Sequence, residues 1–527
     1  MSFLQKADNE YSPGLYSQLE TVMKPLLPFL KSLSQIALVT LLIVSYAADK
    51  TKGQSADSTS VSEVIGSNNV LSLKDAIHIA LANNSKVKRS LLNLEDAEEE
   101  VRIAWSEVLP DISLSADYTR NVEIPVNFIP AQFIDPDASK DELVPLQFGA
   151  DNSWRGGLAV EQTLFRGEAI VGIGSSKIFK TVQTESLRAT AQQVVTQTRT
   201  AYYSVLVAKE KLRLQQATVD RLKENLNDNK ARQKAGLIDD YDVLQVKVEL
   251  SNEKPKLTQA QYGVQEAYRE LMMIMGVSFE LDFSVKGDLN SYHITSQQAI
   301  EQVNKSIKRI DTMTPYQYQK DTSFREGVLG NRGDIRVLEK QNKLREQKIK
   351  AVKSRFLPTL SATYNLTFNA AQAGSPVFFG NKDNRARSQT IGLTLSLPIF
   401  QGFQRSANLS KAKIEKKDLE VQKRQALREA KNDIHSAREA LNQAIETAPA
   451  RKEALELAQE GYDRAISRYE SGLGSQLDVR NAEVQLRNAE VNYAQMVYNY
   501  LSAKAKYDLA IGKVPFVDSE GPKFKDE

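Results

Sequence analysis

The stretch AGLIDDYDVLQVKVEL, residues 235–250, returns as SGLGSQLDVRNAEVQL, residues 471–486. Gly236/Gly472, Leu237/Leu473, Asp242/Asp478, Val243/Val479, Val248/Val484 and Leu250/Leu486 match at a constant offset of 236, and Gly276/Gly512 keep it. Leu109-Pro110 recurs as Leu357-Pro358, and Phe165-Arg-Gly167 as Phe400-Gln-Gly402. Chance does not hold a register that long, so the chain is an internal duplication. Each half reads helix, strand, loop, strand, long helix, tight turn, long helix.

Outward from the repeated turns, apolar and small residues step 4-3-4-3. Before the first turn they run Leu187, Ala191, Val194, Thr198, Ala201, Val205, Ala208, Leu212, Gln215, Val219, Leu222, Leu226. The second half has Leu427, Ala430, Ile434, Ala437, Leu441, Ala444, Ala448, Arg451, Leu455, Ala458, Tyr462. After the turns the spacing resumes from Val246 to Ile274 and from Ala482 to Ala510. A 3.5-residue period means helices wound round one another. Residues 167–234 as one helix would reach on the order of 100 Å, too long for a compact domain. Pro255 removes a backbone donor and predicts a local kink.

Beside the Leu-Pro and Phe-x-Gly marks the period is two. Leu360, Ala362, Tyr364, Leu366 and Phe368 alternate with Ser361, Thr363, Asn365 and Thr367; Ile391, Leu393, Leu395 and Leu397 alternate with Gly392, Thr394 and Ser396. Membrane-barrel strands alternate in this way, and so does a soluble sheet with one wet face. The export signal and the long helices favour the barrel. Four strands leave two edges that lipid will not tolerate, so copies must share a barrel; three copies give twelve strands, although the count alone does not choose three.

Bulk properties exclude other classes. The 527 residues are 41% hydrophobic and 26% charged, with net charge +3, which gives no field for nucleic acid. There is no cysteine, and the three histidines, His78, His293 and His435, are scattered, so no disulfide, thiolate or catalytic metal centre is expected. GEAIVGIGSSK from Gly167 lacks the ending of a phosphate loop. No nucleophile converges with a base, and neither an enzyme nor a cofactor is expected. Ile36–Val44, followed by Ser45-Tyr46-Ala47, fits the core and cleavage site of an export signal. The signal region is 1–47, with Met23 as a candidate start.

Taken together, the Leu-Pro strands, the Phe-x-Gly strand ends, the Gly-Leu turns followed by Asp-Val, and the opening LSLKDAIHIALANN resemble the TolC-like outer-membrane efflux family over about residues 71–513. The segment 122–153 resembles the longer loops of its Bacteroidota branch. The resemblance implies a mixed, mainly α, internally duplicated fold. In it, a trimeric twelve-stranded transmembrane β-barrel continues into a long periplasmic α-helical coiled-coil barrel. Helices 71–108 and 332–356 would belong to the upper α-barrel. Segments 109–166 and 357–401 would carry the strands, with extracellular loops 122–153 and 369–388. Hairpins 167–277 and 402–512 would form the tube, and 278–330 with 513–527 an equatorial region.

The function so implied is a passive outer-membrane exit duct of a tripartite efflux or type I secretion system. Its partners would be two further copies, a periplasmic adaptor, an inner-membrane pump and outer-membrane lipid. Gly236-Leu237 and Gly472-Leu473 would meet the adaptor, or be mere turns with a shielded leucine. Asp478, with Asn481 where the family often has a second acid, would narrow the pore; alternatively Asp478 and Asp242 are simply acids at helix N-termini. Arg385 and Arg387 are either solvated or touch surface lipopolysaccharide. The competing class is a surface-anchored trimeric coiled-coil stalk or adhesin without a pore.

Overall fold

The computed structural model describes residues 69–289 and 329–517, apart from 135, 138, 140, 142 and 378–381. The signal region 1–47, His293, residues 290–328 and the tail 518–527 lie outside the described residues.

The described elements begin with β1 (Val70–Leu71), α1 (Leu73–Asn83) and α2 (Ser85–Ser106). Strands β2 (Asp111–Arg120), β3 (Val126–Pro130), β4 (Leu143–Gln147) and β5 (Asn152–Phe165) follow. The first long hairpin is α3 (Gly167–Lys234) and α4 (Asp240–Met275), and then comes β6 (Ser284–Val285). The second repeat contains α5 (Gly333–Ser354), β7 (Thr359–Gln372), β8 (Arg385–Ser396), α6 (Gln404–Glu470) and α7 (Gln476–Ala510). Helices α3 and α6 are 68 and 67 residues long, each about 100 Å of rise.

Of the heptad residues of α3, Leu187, Ala191, Val194, Thr198, Ala201, Val205, Val219, Leu222 and Leu226 are buried, while Ala208, Leu212 and Gln215 are half-buried. Helix α3 also buries a second stripe, Val195, Arg199, Tyr202 and Leu206, because it packs on α4 and α7 as well as on α1, α2 and α5. Helix α6 buries one stripe only, Ala430, Ile434, Leu441, Ala444 and Ala448, and leaves its other side bare in a single chain. Both α4 and α6 run unbroken through a proline, Pro255 and Pro449. Each ring sits on an exposed side, where the lost donor removes one rung and leaves the helix intact.

The repeat's glycines explain how the hairpins are seated. Gly276 and Gly512 end α4 and α7 at φ +71° and +72°. In each case the next amide closes back on the helix, Val277 N on Met272 O and Lys513 N on Asp508 O. A side chain at Gly276 would come within 2.5 Å of Asn83 O, and one at Gly512 within 2.4 Å of the Asn331 carbonyl carbon. Each hairpin therefore docks its last turn on the backbone where its own repeat's first long helix begins. The α1–α2 break at Asn83-Asn84 belongs to this contact. Asn84 caps α2 through Lys86 N and donates Nδ2 to Ile274 O at 2.7 Å. In the second repeat, buried Gln192 links Gly333 N, Asn331 O and Gly512 O.

Strands β2, β5, β7 and β8 form one antiparallel sheet in that order, with β5–β7 joining the two repeats. Register aligns the two faces cleanly. Ile112, Leu114 and Tyr118 lie beside Val160, Leu158 and Trp154, then Tyr364, Leu366 and Ala370. The opposite face carries Asp111, Ser113, Asp117, Glu161, Thr363, Asn365, Thr390 and Thr394. The apolar face is open: Leu114, Ile391, Leu393 and Leu395 are exposed, and among the described residues no helix packs closely on it. Among the described residues no helix is long and apolar enough to cross a membrane. The segment 122–153 holds its own hairpin, β3–β4.

Glycine substitutions separate docking from mere turning. Gly276→Ala should lower stability by clearly more than the ~1–2 kcal/mol that left-handed backbone alone costs. Gly236→Ala, where nothing lies within 4 Å, should cost only that amount. Denaturant or thermal unfolding of the purified protein checks this, and equal losses would contradict the docking role.

Candidate functional site at the helical tips

The hairpin ends farthest from the sheet are two copies of one turn. Gly236 and Gly472 both take φ +74°, which favours glycine. Leu237 N donates to Arg232 O at 2.9 Å and Leu473 N to Arg468 O at 2.8 Å. The leucines end up outside, 72% and 74% exposed, with Tyr241 and Leu477 exposed nearby.

Asp478 is the third residue of α7 in a capping box with Ser475. Its Oδ2 accepts from Ser475 N at 3.0 Å and Ser475 Oγ at 2.8 Å. The Ser475 backbone bond, then the hydroxyl bond, hold its carboxyl below the usual range. Both readings of Asp478 thus stand on the same atoms: it caps the helix and presents an exposed negative charge one turn from the tip. Asn481, a turn further on, is exposed as well.

Two features of the tip were not read from the sequence. The first is a clamp between the hairpins. Arg232 of α3 lies 4.7 Å above the Tyr469 ring of α6 and donates to Tyr469 O at 3.2 Å, while the Tyr469 hydroxyl donates to Asn229 Oδ1. Arg232 and Tyr469 lie 237 residues apart, and only the folded repeat brings them together.

The second is a charged knot about two turns above it. One apolar core spans both repeats around Val194–Val207, Ala267–Met275, Ala430–Ala448 and Ala494–Ala510. Below it the apolar packing divides. Val219, Leu222, Leu226, Val246 and Leu250 belong to the first hairpin, and Tyr462, Val479 and Leu486 to the second. Polar groups bridge the gap. Arg487 donates to Glu253 Oε1 at 2.6 Å, Arg480 meets Glu249 at 3.5 Å, and Lys211 donates to Gln495 at 2.8 Å. Arg221 lies 3.6 Å from Glu483 and 3.7 Å from Glu490, too far for full hydrogen bonds.

Glu483, 2% exposed, is pushed up to about 7 by burial and by Glu249, against Arg221 and Arg487. Burial likewise raises Glu490 and Glu249. Glu253 goes the other way: burial acts upward, but the Lys256 and Gln215 hydrogen bonds and the Arg487 charge outweigh it. The Tyr462 phenol, pushed up to about 12 by burial and by Glu483, stays neutral.

Comparison with known proteins places this architecture. The model of the family described as "Outer membrane efflux protein" matches residues 76–277 and 325–513. The chain belongs to that family of outer-membrane proteins, which extend into the periplasm. It is 21% identical over 352 residues to the toluene efflux pump outer membrane protein TtgC of Pseudomonas putida, a match covering 67% of this chain and 64% of that one. It is 24% identical over 329 residues to the outer membrane protein TolC of Escherichia coli, covering 61% and 58%. The matches therefore span less than two thirds of these relatives. In fold it is similar to the CmeC outer membrane channel of Campylobacter jejuni, with TM-score 0.65 and 19% identity, covering 86% of this chain and 87% of that one.

The knot makes a pH prediction. Glu483 holds its proton in the folded protein up to about pH 7 and releases it near its ordinary value when solvated. From about pH 4.5 to 7 the folded state binds more protons than the unfolded, so stability falls as pH rises. Glu483→Gln should be more stable than the parent at pH 7.5 by on the order of 1–3 kcal/mol and show a flatter profile down to pH 5.5. Unfolding at the two pH values measures this; an unaltered slope would remove Glu483 as its source.

Proposed function

We propose that three copies of this chain build a passive exit duct through the outer membrane, continued by a helical tube across the periplasm. The observation that carries this reading is the sheet. It has a continuous apolar face, a polar opposite face and two unpaired edges, β2 and β8, on a chain that also carries 100-Å hairpins. Edge pairing of β8 with β2 of the next copy removes both defects, and three copies make a barrel of twelve strands. The bare side of α6 is suited to the same assembly, since a neighbouring copy's helices would cover it. The stalk reading is the weaker, because each pair of long helices turns back at Gly236 or Gly472 and docks beside the start of α2 or α5.

In this duct Leu237 and Leu473, with Gly236 and Gly472 shaping their turns, receive a periplasmic adaptor that links the tube to an inner-membrane pump. Three Asp478 carboxylates near a common axis repel one another and draw cations, with Asn481 lining the same passage as an uncharged amide. The clamp of Arg232, Tyr469 and Asn229 holds the two hairpins of each copy together at the constriction. Below the shared apolar core each hairpin keeps its own small apolar cluster and charged contacts bridge them, which favours opening at the tips while the upper tube stays whole. Cargo passes by diffusion, and the chain supplies no chemistry. The family is one of efflux proteins, not of enzymes.

Planar-bilayer conductance of detergent-purified protein, with oligomer mass from the same sample, tests the duct; a trimer with small cation-preferring channels is expected, and a monomer would end the barrel reading. Asp478→Ala should raise single-channel conductance and lessen block by trivalent cations, and unchanged traces would remove Asp478 from the constriction. Arg232→Ala and Tyr469→Ala should each raise open probability several-fold, whereas a change confined to selectivity would speak against the clamp.

A further inference from the structure

One pair of strands runs on beyond the four-stranded sheet. β2 and β5 pair as far as Arg120 and Asn152. Asn121 N then donates to Asp151 O at 2.8 Å, and Asn121 Nδ2 to Ala150 O at 2.8 Å. After a short irregular stretch β3 and β4 resume the antiparallel pairing, from Val126 with Gln147 to Pro130 with Leu143. β7 meanwhile ends at Gln372, opposite Asn152, and β8 starts only at Arg385. The base of this two-stranded ribbon is fixed to the sheet. Buried Asn152 accepts from Tyr118 Oη at 2.7 Å and donates to Gly374 O at 2.8 Å, while Gly374 N donates to Asp151 Oδ2. From Asn121 to Pro130 the ribbon reaches up to ~30 Å.

Its two faces are unequal. Ile129, Val144 and Leu146 lie on one and are half-buried. Val126, Phe128, Pro130, Leu143 and Pro145 lie on the other, and all five are exposed, Phe128 at 66%. Among the described residues no other element packs closely on β3 or β4. A lone two-stranded hairpin is marginal in water, so this one gains from any surface that covers it. Adjacent apolar side chains left in solvent mark such a contact surface. Pro130 and Pro145 have no amide to offer a further strand. The ribbon is therefore suited to receive a partner on its face and not along its edge.

Size, charge and position select the partner. The bare face has five apolar residues, whereas a stable complex between free proteins takes about 20–30 residues a side. Copies already tethered to one another need far less, because tethering gives an effective concentration in the mM range. No charged residue lies on the face, so two like faces meet without repulsion. The ribbon also rises from β2, the edge strand that in the barrel lies beside β8 of the next copy. Twelve strands about 4.8 Å apart and tilted by about 40° make a ring roughly 24 Å across. Three ribbon bases on that ring stand about 20 Å from one another, within the length of the ribbons.

We propose that the face of Val126, Phe128 and Leu143 docks on the same face of the other two copies, so that three ribbons form one apolar cluster at the outer mouth of the barrel. The inference rests on the barrel reading above. The cluster ties the copies together outside the membrane, at the opposite end of the assembly from the helical tips.

The chain has no cysteine, so single-cysteine variants report this contact without background. The full-length Phe128→Cys oligomer is treated with a short bis-maleimide, which joins two thiols. Asn127→Cys, exposed on the opposite face of the same strand, is the control. Phe128→Cys should give at least about fivefold more linked dimer than Asn127→Cys, at a yield independent of protein concentration. Leu143→Cys, on the paired strand, should link as Phe128→Cys does. Equal linking by Phe128→Cys and Asn127→Cys would mean loose collision and overturn the proposal, as would linking by neither Phe128→Cys nor Leu143→Cys. A bimane on the Phe128→Cys thiol that brominated phospholipid quenches would seat the face in lipid and overturn it too. The mass of the unlinked oligomer separates the two levels. A trimer that does not link sinks the cluster alone, and a monomer sinks the barrel reading with it.

Discussion

A β-strand edge cannot be left open in hydrocarbon, because each unpaired amide and carbonyl there costs several kcal/mol. The sheet β2-β5-β7-β8 has two such edges and a bare apolar face. Everything else in the architecture is compatible with the one remedy, sharing a barrel with other copies. The duplication supplies two strands from each repeat, and β5–β7 pairing fuses the repeats at the sheet. Each repeat then sends a hairpin away from the sheet, and Gly276 and Gly512 bring it back onto its own first helix. An assembly that closes the sheet necessarily gathers the hairpins into a tube.

Cohesion along that tube is graded. Midway along the long helices, α3, α4, α6 and α7 share one apolar core, and separating the hairpins there would expose large apolar area. Toward the tips each hairpin keeps a small core of its own, and the contact between hairpins becomes charged. Charged contacts can be exchanged for water at far lower cost than apolar ones, as the imperfect Arg221–Glu483 and Arg221–Glu490 distances illustrate. The end that would open to cargo in the proposed duct is thus the end held by replaceable interactions. Glu483 sits within that seam, half protonated near neutrality, and couples its strength to pH.

Much of this was legible in one dimension. Period two and period 3.5 survive in the sequence because burial on one face is a local demand repeated along an element. The heptad seam from Leu187 to Leu226 and the alternation of β7 and β8 were therefore readable residue by residue. Gly236 and Gly472 were equally visible, since a left-handed turn selects glycine whatever surrounds it. Pro255 lies inside a continuous helix, where an exposed ring removes a rung without ending the helix. The second buried stripe of α3 was not foreseen, because Arg199 and Gln192 are polar and their burial depends on partners from other elements.

The duplication, the lengths of the hairpins, the two faces of the sheet and the turns at the hairpin ends are all written in the amino-acid order. Each of these is set by neighbours within a few residues or by a repeat that is present twice. That Arg232 stacks on Tyr469, that Arg487 reaches Glu253 and that Glu483 is enclosed by Arg221 and Glu249 became visible only in the folded chain. Those contacts cross between repeats more than 200 positions apart, and desolvation, the force that shifts Glu483, has no value until the second hairpin packs against the first.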